Sequence, residues 1–232
     1  TSDGPRYAET SLGEHGNMDI QIDHWRHSIA SLRSAIRSGT VRGLAEKASL
    51  SSPRSVERLR RHDTLTRIDK GGSTLTAVDT SGRKLRYNSP VSRQDPLVND
   101  WRKRVSSLHT PPSHQEKLLI LLPCSATKPY RLSQSHHRFL RNIPGNRAHQ
   151  IMVTSPLGLV PRELEDLWPA AHYDIPVTGD WDAEELEMVN SMISDVCERV
   201  GYSEIINHSG MDVSIAVSYT HLRAHETRED RG

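Results

Sequence analysis

A single phenylalanine in 232 residues leaves little aromatic volume, so any core must lean on leucine, isoleucine and valine. Cysteine is equally scarce. Cys124 and Cys197 alone can neither staple a small fold nor fill a four-ligand zinc site, and a reducing cytoplasm is the expected compartment. No apolar run approaches the roughly 18 residues that a spanning helix needs, so a membrane is not an expected partner. Surplus charge is lacking too. A net charge of +1 with 25% charged residues gives no global field for nucleic acid, and any RNA contact has to come from a local patch.

What the chain does have is a dense stretch at residues 117–139. Leu118 to Leu122 is an unbroken apolar run, short enough for a strand and without polar alternation, as expected of a strand buried on both faces. Pro123 ends it, because proline cannot donate to a sheet ladder. A thiol, an ammonium, a phenol, hydroxyls and two imidazoles come next, before a helix that Ser133 or Ser135 would cap. Strand, polar loop and helix N-terminus is where open α/β sheets place their ligands.

Ahead of this stretch, residues 1–16 are polar and read as frayed or cut from something larger. Ile22, Trp25, Ile29, Leu32 and Ile36 form one helical stripe, with Gly39 as its stop. A short helix is expected around 41–48, and a third from Ser52-Pro53, whose basic run Arg54–His62 is a solvated face or an RNA phosphate contact. Leu75, Ala77, Leu85 and Tyr87 alternate about Asp79-Thr80-Ser81-Gly82 as in a hairpin, and Asp95-Pro96 starts a linker helix. Residues 64–112 are thus a hairpin and linker, and 113–212 an α/β core.

Within that core a strand is expected at 150–153, a helix from Pro161, a third strand at 172–177 and a fourth at 204–208. Asp182 and Glu185 give a capping-box start to a long helix that Gly201 closes, and Cys197 beside its stripe is a small buried apolar residue. Alternating strands and helices imply a three-layer, mainly parallel α/β sheet. Residues 213–232 carry no core stripe. Their end resembles a translated sequencing adapter, and they are expected to be a non-native tail.

Pro123-Cys124, Lys128-Pro129-Tyr130, Ser133 and His136 at this spacing resemble the motif of archaeosine synthase, the lysine-transferring alpha subunit. The order of Thr154-Ser155-Pro156-Leu157-Gly158, Pro161-Arg162-Glu163 and His172-Tyr173-Asp174, then Gly179-Asp180-Trp181, agrees across residues 95–210. Residues 17–63 separately resemble the helical tail of an archaeal tRNA-guanine transglycosylase domain. The resemblance implies a central fragment of a tRNA-modifying transferase. Its reaction would add L-lysine to the nitrile of 7-cyano-7-deazaguanine in the tRNA D-loop, and a radical-S-adenosylmethionine partner would then complete archaeosine. No cofactor and no metal ligand are expected in this fragment, since the family's zinc site belongs to a transglycosylase-like part that the chain lacks.

Each candidate residue has a chemical and a plainer role. Cys124, between a strand end and a helix start, is a nucleophile whose pKa the helix start and Lys128 would lower, or an unreactive thiol shaping the turn. Lys128 stabilises developing charge or holds a phosphate, or is a surface ammonium. Tyr130 stacks on a base, donates a proton or packs. Ser133 is a cap that can also hold an anion, and His136 a general acid or base. Substrate contacts are assigned to Ser155, Gly158, Glu163, Tyr173, Asp174 and Asp180, the two aspartates as partners for the lysine ammonium or as turn and cap residues. The competing readings are a non-catalytic tRNA- or nucleobase-binding module and a nucleotide-processing α/β enzyme. A compact set of titratable groups at strand ends favours catalysis.

Overall fold

A computed structural model describes residues 18–67, 75, 84–143, 147–175, 179–213 and, for the backbone alone, 222–224. Among the described residues three helices come first: α1 (Met18–Ser38), α2 (Val41–Ser49) and α3 (Pro53–Leu65). Gly39 succeeds α1 at φ 65°, and Ser52 caps α3 by accepting from Ser55 N. The stripe on α1 forms as the spacing predicts, but Ile22, Trp25, Ile29, Leu32 and Ile36 stay 40% to 61% exposed. Only Ala35 of this helix is buried, so the stripe contributes nothing to the core of the described residues.

Buried charge ties these helices to the segment at residues 90–95. Arg42 pairs with Glu46 at 2.8 Å and with both carboxylate oxygens of Asp63, and Asp95 lies 3.9 Å from it. Ser92, in a 3-10 turn at Pro90–Gln94, donates to Glu46 at 2.5 Å. Asp95 then caps α4 (Pro96–Ser107) through Leu97 N.

The central sheet has five strands in the order β4-β3-β2-β6-β7. These are β2 (Leu118–Pro123), β3 (Ala148–Thr154), β4 (Gly158–Pro161), β6 (Glu204–Asn207) and β7 (Leu222–Ala224). β2 lies parallel to β3 and β6, and β7 parallel to β6; only β4 runs antiparallel. The apolar run that predicts β2 is central and buried, as its lack of alternation requires.

Helix α5 (Gln134–Asn142) connects β2 to β3, capped by Ser133, and α6 (Ala183–Val200) leads into β6. The capping box of Asp182 and Glu185 opens α6, and Gly201 closes it at φ 74°. The crossovers run to opposite sides of β2, so right-handed connections place α5 and α6 on opposite faces of the sheet. Helix α4 shares the face of α6, packing on it and on β4. The result is the three-layer α/β arrangement that the element order predicts.

Two expected elements are different in the structure. Pro161 does not start a helix: Gly158–Pro161 is the strand β4, succeeded by only a 3-10 turn at Arg162–Leu164. The strand expected at 172–177 is the two-residue β5 (Tyr173–Asp174), paired in parallel with β1 (Leu85–Arg86) outside the main sheet. The hairpin about Asp79–Gly82 lies outside the described residues, as do residues 1–16 and most of the tail, of which 222–224 pair along β6.

Candidate active site

A crevice opens at the carboxyl ends of β2 and β3, the edge at which open α/β sheets place their ligands. A cavity of about 420 Å³ lies there, lined by Pro123 and Cys124 after β2 and by Thr154, Ser155 and Pro156 after β3. Its far wall comes from Tyr87, Ser89, Ser92 and Arg93, and its rim from Asp180, Trp181, Asp182 and Glu185. That volume suits a small-molecule or nucleobase ligand.

Cys124 sits at the mouth of β2, partly buried and hydrogen-bonded to Thr154. Burial pushes its thiol above the ordinary value, outweighing the downward pull of Lys128 and Thr154. The lowered pKa expected from sequence is therefore corrected: desolvation of the thiolate is the largest influence. Burial acts on Lys128 in the opposite sense and lowers its pKa, while the nearby Cys124 and Asp174 favour the charged form. Its Nζ has no hydrogen-bond partner and lies 4.4 Å from the centre of the Tyr173 ring and 5.9 Å from that of Tyr130. Both displacements favour the uncharged forms, and a neutral amine is the form that can take up a proton.

Behind the pair, Tyr130 and Tyr173 are fully buried, their hydroxyls bonded to one another, and the Tyr173 hydroxyl also meets Thr154 Oγ1 at 2.6 Å. Burial raises both phenol pKa values, so these rings stay neutral. They form the floor under Lys128 rather than a base-stacking platform.

The remaining candidates divide. Ser155 and Asp180 line the cavity, Ser155 donating to Glu185 at 2.5 Å. Asp174 is exposed on β5 and acts on Lys128 only through its charge. Ser133 is buried and accepts from His136 N, the work of a helix cap. Gly158 has φ +76°, and a Cβ there would come within 2.3 Å of Met192 Sδ. It is set by close packing on α6, not by approach to a ligand. Glu163 stands at the other end of β3, beside His109 and His149.

His136 is also away from the cavity. Its Nε2 is 3.0 Å from Pro123 O, and Arg162 Nη2 donates to its Nδ1 at 2.9 Å. Arg162 can only donate, so the ring is the neutral Nε2–H tautomer. Burial first and Arg162 second lower its pKa to about 4. It fixes the loop that presents Cys124.

A depressed histidine pKa has a definite sign. The unfolded imidazole takes up its proton near 6.5 and the folded one only near 4. Stability is whole above pH 6.5 and is expected to decline as the pH falls toward 4, by up to about 3 kcal/mol. Urea unfolding at pH 7 and pH 4 checks this, and a His136→Asn variant, weaker at pH 7, should lack that part of the slope.

Sequence reasoning misses Tyr87, Arg93, Thr154 and Glu185. Arg93 is held by Asp182 at 2.5 Å and by Glu184 and Glu185, each at 3.4 Å. Tyr87 is buried in the cavity wall with an unpartnered hydroxyl. Both come from a segment far from the motif in sequence. Thr154, at the expected strand end next to Ser155, has a local signal.

Fold and crevice together define a mainly parallel α/β domain with a thiol lining the crevice at the carboxyl ends of β2 and β3 and a half-buried amine nearby. The family described as Domain of unknown function (DUF5591) matches residues 98–229, and the chain belongs to it. The chain is 43% identical over 133 residues to archaeosine synthase subunit alpha of Methanosarcina acetivorans, a match covering 51% of this chain and 21% of that one. It is 50% identical over 90 residues to archaeosine synthase of Haloferax volcanii, covering 39% of this chain and 15% of the relative. A weaker likeness, 25% identity over 236 residues, spans 97% of this chain and 33% of tRNA-guanine(15) transglycosylase of Methanobrevibacter smithii. The chain thus spans about a fifth or less of the length of the first two relatives. Among the described residues no helix is long and apolar enough to cross a membrane.

Proposed function

We propose that this domain carries the amine-transfer step of an archaeosine-synthase-like tRNA modification, adding L-lysine to the nitrile of 7-cyano-7-deazaguanine in tRNA. The observation that carries the reading is Cys124 on the wall of a nucleobase-sized crevice, within electrostatic reach of the Lys128 amine. The likeness to archaeosine synthases supplies the substrate class.

The chemistry divides into two additions at one carbon. Cys124 sulfur attacks the nitrile carbon, forming a C–S bond, while its proton passes by way of Lys128 to the nitrile nitrogen and gives a thioimidate. The neutral side-chain amine of lysine then adds to the same carbon. The C–S bond breaks, the amine proton returns to sulfur, and an amidine remains. No oxidant or reductant is consumed. Asp180, Asp182 and Glu185 at the rim offer carboxylates to the amino acid's ammonium, and Arg93 a guanidinium to its carboxylate. In this scheme the radical-S-adenosylmethionine enzyme acts afterwards, on the lysine adduct.

The test joins the chain to the segments that flank the matched region in the Methanosarcina acetivorans relative, with that relative as positive control. Incubation with lysine and cyano-deazaguanine-containing tRNA should give the lysine adduct on nucleoside mass spectrometry. Binding of tRNA without adduct formation would leave a binding module in place of an enzyme.

A further inference from the structure

At the opposite end of β3 from the crevice, three side chains converge that the amine-transfer reading does not use. His149 is the second residue of β3, five positions before Thr154, or about 16 Å along the strand. His109 lies just past the end of α4, and Glu163 in the 3-10 turn after β4. His109 Nε2 is 2.9 Å and His149 Nε2 3.2 Å from the same Glu163 oxygen, and one donor atom from each residue falls within 4.8 Å of the others.

From this convergence we infer a binding site for a divalent first-row transition ion, with His109 Nε2, His149 Nε2 and a Glu163 oxygen as ligands. Two imidazoles and one carboxylate are a donor set that suits zinc and its neighbours rather than magnesium or calcium. Tetrahedral ligands at about 2.0–2.1 Å from a metal stand about 3.3 Å apart, close to the two spacings found. The site is held from behind: His149 Nδ1 is bonded to the Tyr202 hydroxyl, the outer contact that orients a ligating imidazole through its other nitrogen. Arg199 donates to His109 O at 2.6 Å and fixes the backbone of the first ligand.

A second observation points the same way. His149 is wholly buried, and its Nε2 makes no well-formed hydrogen bond although it faces the Glu163 carboxylate. A buried ring nitrogen whose contact with a carboxylate is poorly aligned is better satisfied by an ion placed between the two, which would take its lone pair. The partial exposure of Glu163 and His109, 29% and 16%, leaves a path for the ion and a position for water as fourth ligand. The ion would join the end of α4 to β3 and to the turn after β4.

The experiment titrates the full chain, stripped with chelator, with Zn²⁺ against a chromophoric competitor, and repeats it with Co²⁺. One equivalent of Zn²⁺ is expected to bind and to raise the melting temperature. The Co²⁺ form should show a visible ligand-field band without a thiolate charge-transfer band. His109→Ala and Glu163→Gln should each weaken binding at least a hundredfold, Tyr202→Phe about 10–100-fold, and Cys124→Ser not at all. Circular dichroism confirms which variants fold, and the partly exposed Glu163 gives the variant least dependent on packing. Failure of the folded parent to bind an equivalent, or binding that survives both His109→Ala and Glu163→Gln, would overturn the site.

Discussion

Lysine transfer is expected to fall at least about a thousandfold in a Cys124→Ala variant, with the unfolding midpoint nearly unchanged. The size comes from the proposed role. If sulfur makes and breaks the protein's only covalent bond to the nitrile carbon, its removal leaves a direct amine addition helped by binding alone. Cys124→Ser sharpens the test, because a hydroxyl keeps the shape and the hydrogen bond to Thr154 but is far less readily ionised. A thiol that only shapes the turn predicts near-normal transfer in the serine variant. A second readout is independent of turnover. The free cyano-deazaguanine base should add its whole mass to the folded protein as a thioimidate, seen by intact-protein mass spectrometry. Cys197 is the internal control, since burial pushes its thiol up to about 12 and it lies inside the core. An adduct that persists in Cys124→Ala would sink the covalent mechanism.

Lys128 tests the other half of the pair. The thiol is harder to ionise than usual and the ammonium easier to neutralise, both through burial. Both displacements favour the uncharged pair, in which the Lys128 nitrogen has a lone pair to receive the sulfur proton and, once protonated, is a stronger acid toward the nitrile. The Tyr130 and Tyr173 rings matter here as a fixed, uncharged floor that offers the ammonium π-faces in place of a counter-ion.

The part of this site legible in the sequence is the part carried by one continuous strand–loop–helix segment. A short apolar run ended by proline reads as a doubly buried strand, and the serine before α5 as its cap, so Cys124 and Lys128 are expected in the loop at a strand's carboxyl end. Ser155 and Asp180 come from the same rhythm. Glu163 and His136 are misplaced by sequence reasoning for one shared reason. Position near a strand end does not say which end of the sheet a side chain faces, and β4 reads as a turn leading into a helix because Gly158–Pro161 is only four residues long. Arg93 and Tyr87 reach the cavity from a segment whose expected hairpin gives no hint that β1 pairs with β5. His109 and His149 are isolated in sequence, and only the antiparallel return of β4 brings Glu163 between them.

The largest stability effect is expected at Arg42, which no motif singles out. Its guanidinium is 4% exposed and is the cation among Glu46, Asp63 and Asp95, all buried. Burial alone would lower its pKa, yet Asp63, Asp95 and Glu46 together raise it, so it stays charged. Arg42→Met keeps much of the volume and removes the charge. It takes the guanidinium away from three buried carboxylates, at a cost of about 3–5 kcal/mol. Urea unfolding checks this, and a loss below about 1 kcal/mol would mean that the carboxylates are re-solvated by movement of the helices. The consequence should reach the site. Glu46 holds Ser92, and Arg42 Nη2 lies 3.4 Å from Val91 O, so the cluster fixes the 3-10 turn that carries Arg93 into the cavity. At temperatures where Arg42→Met remains folded, lysine affinity should weaken more than the rate of transfer at saturation. The cluster orients a wall of the crevice and leaves the Cys124–Lys128 pair untouched.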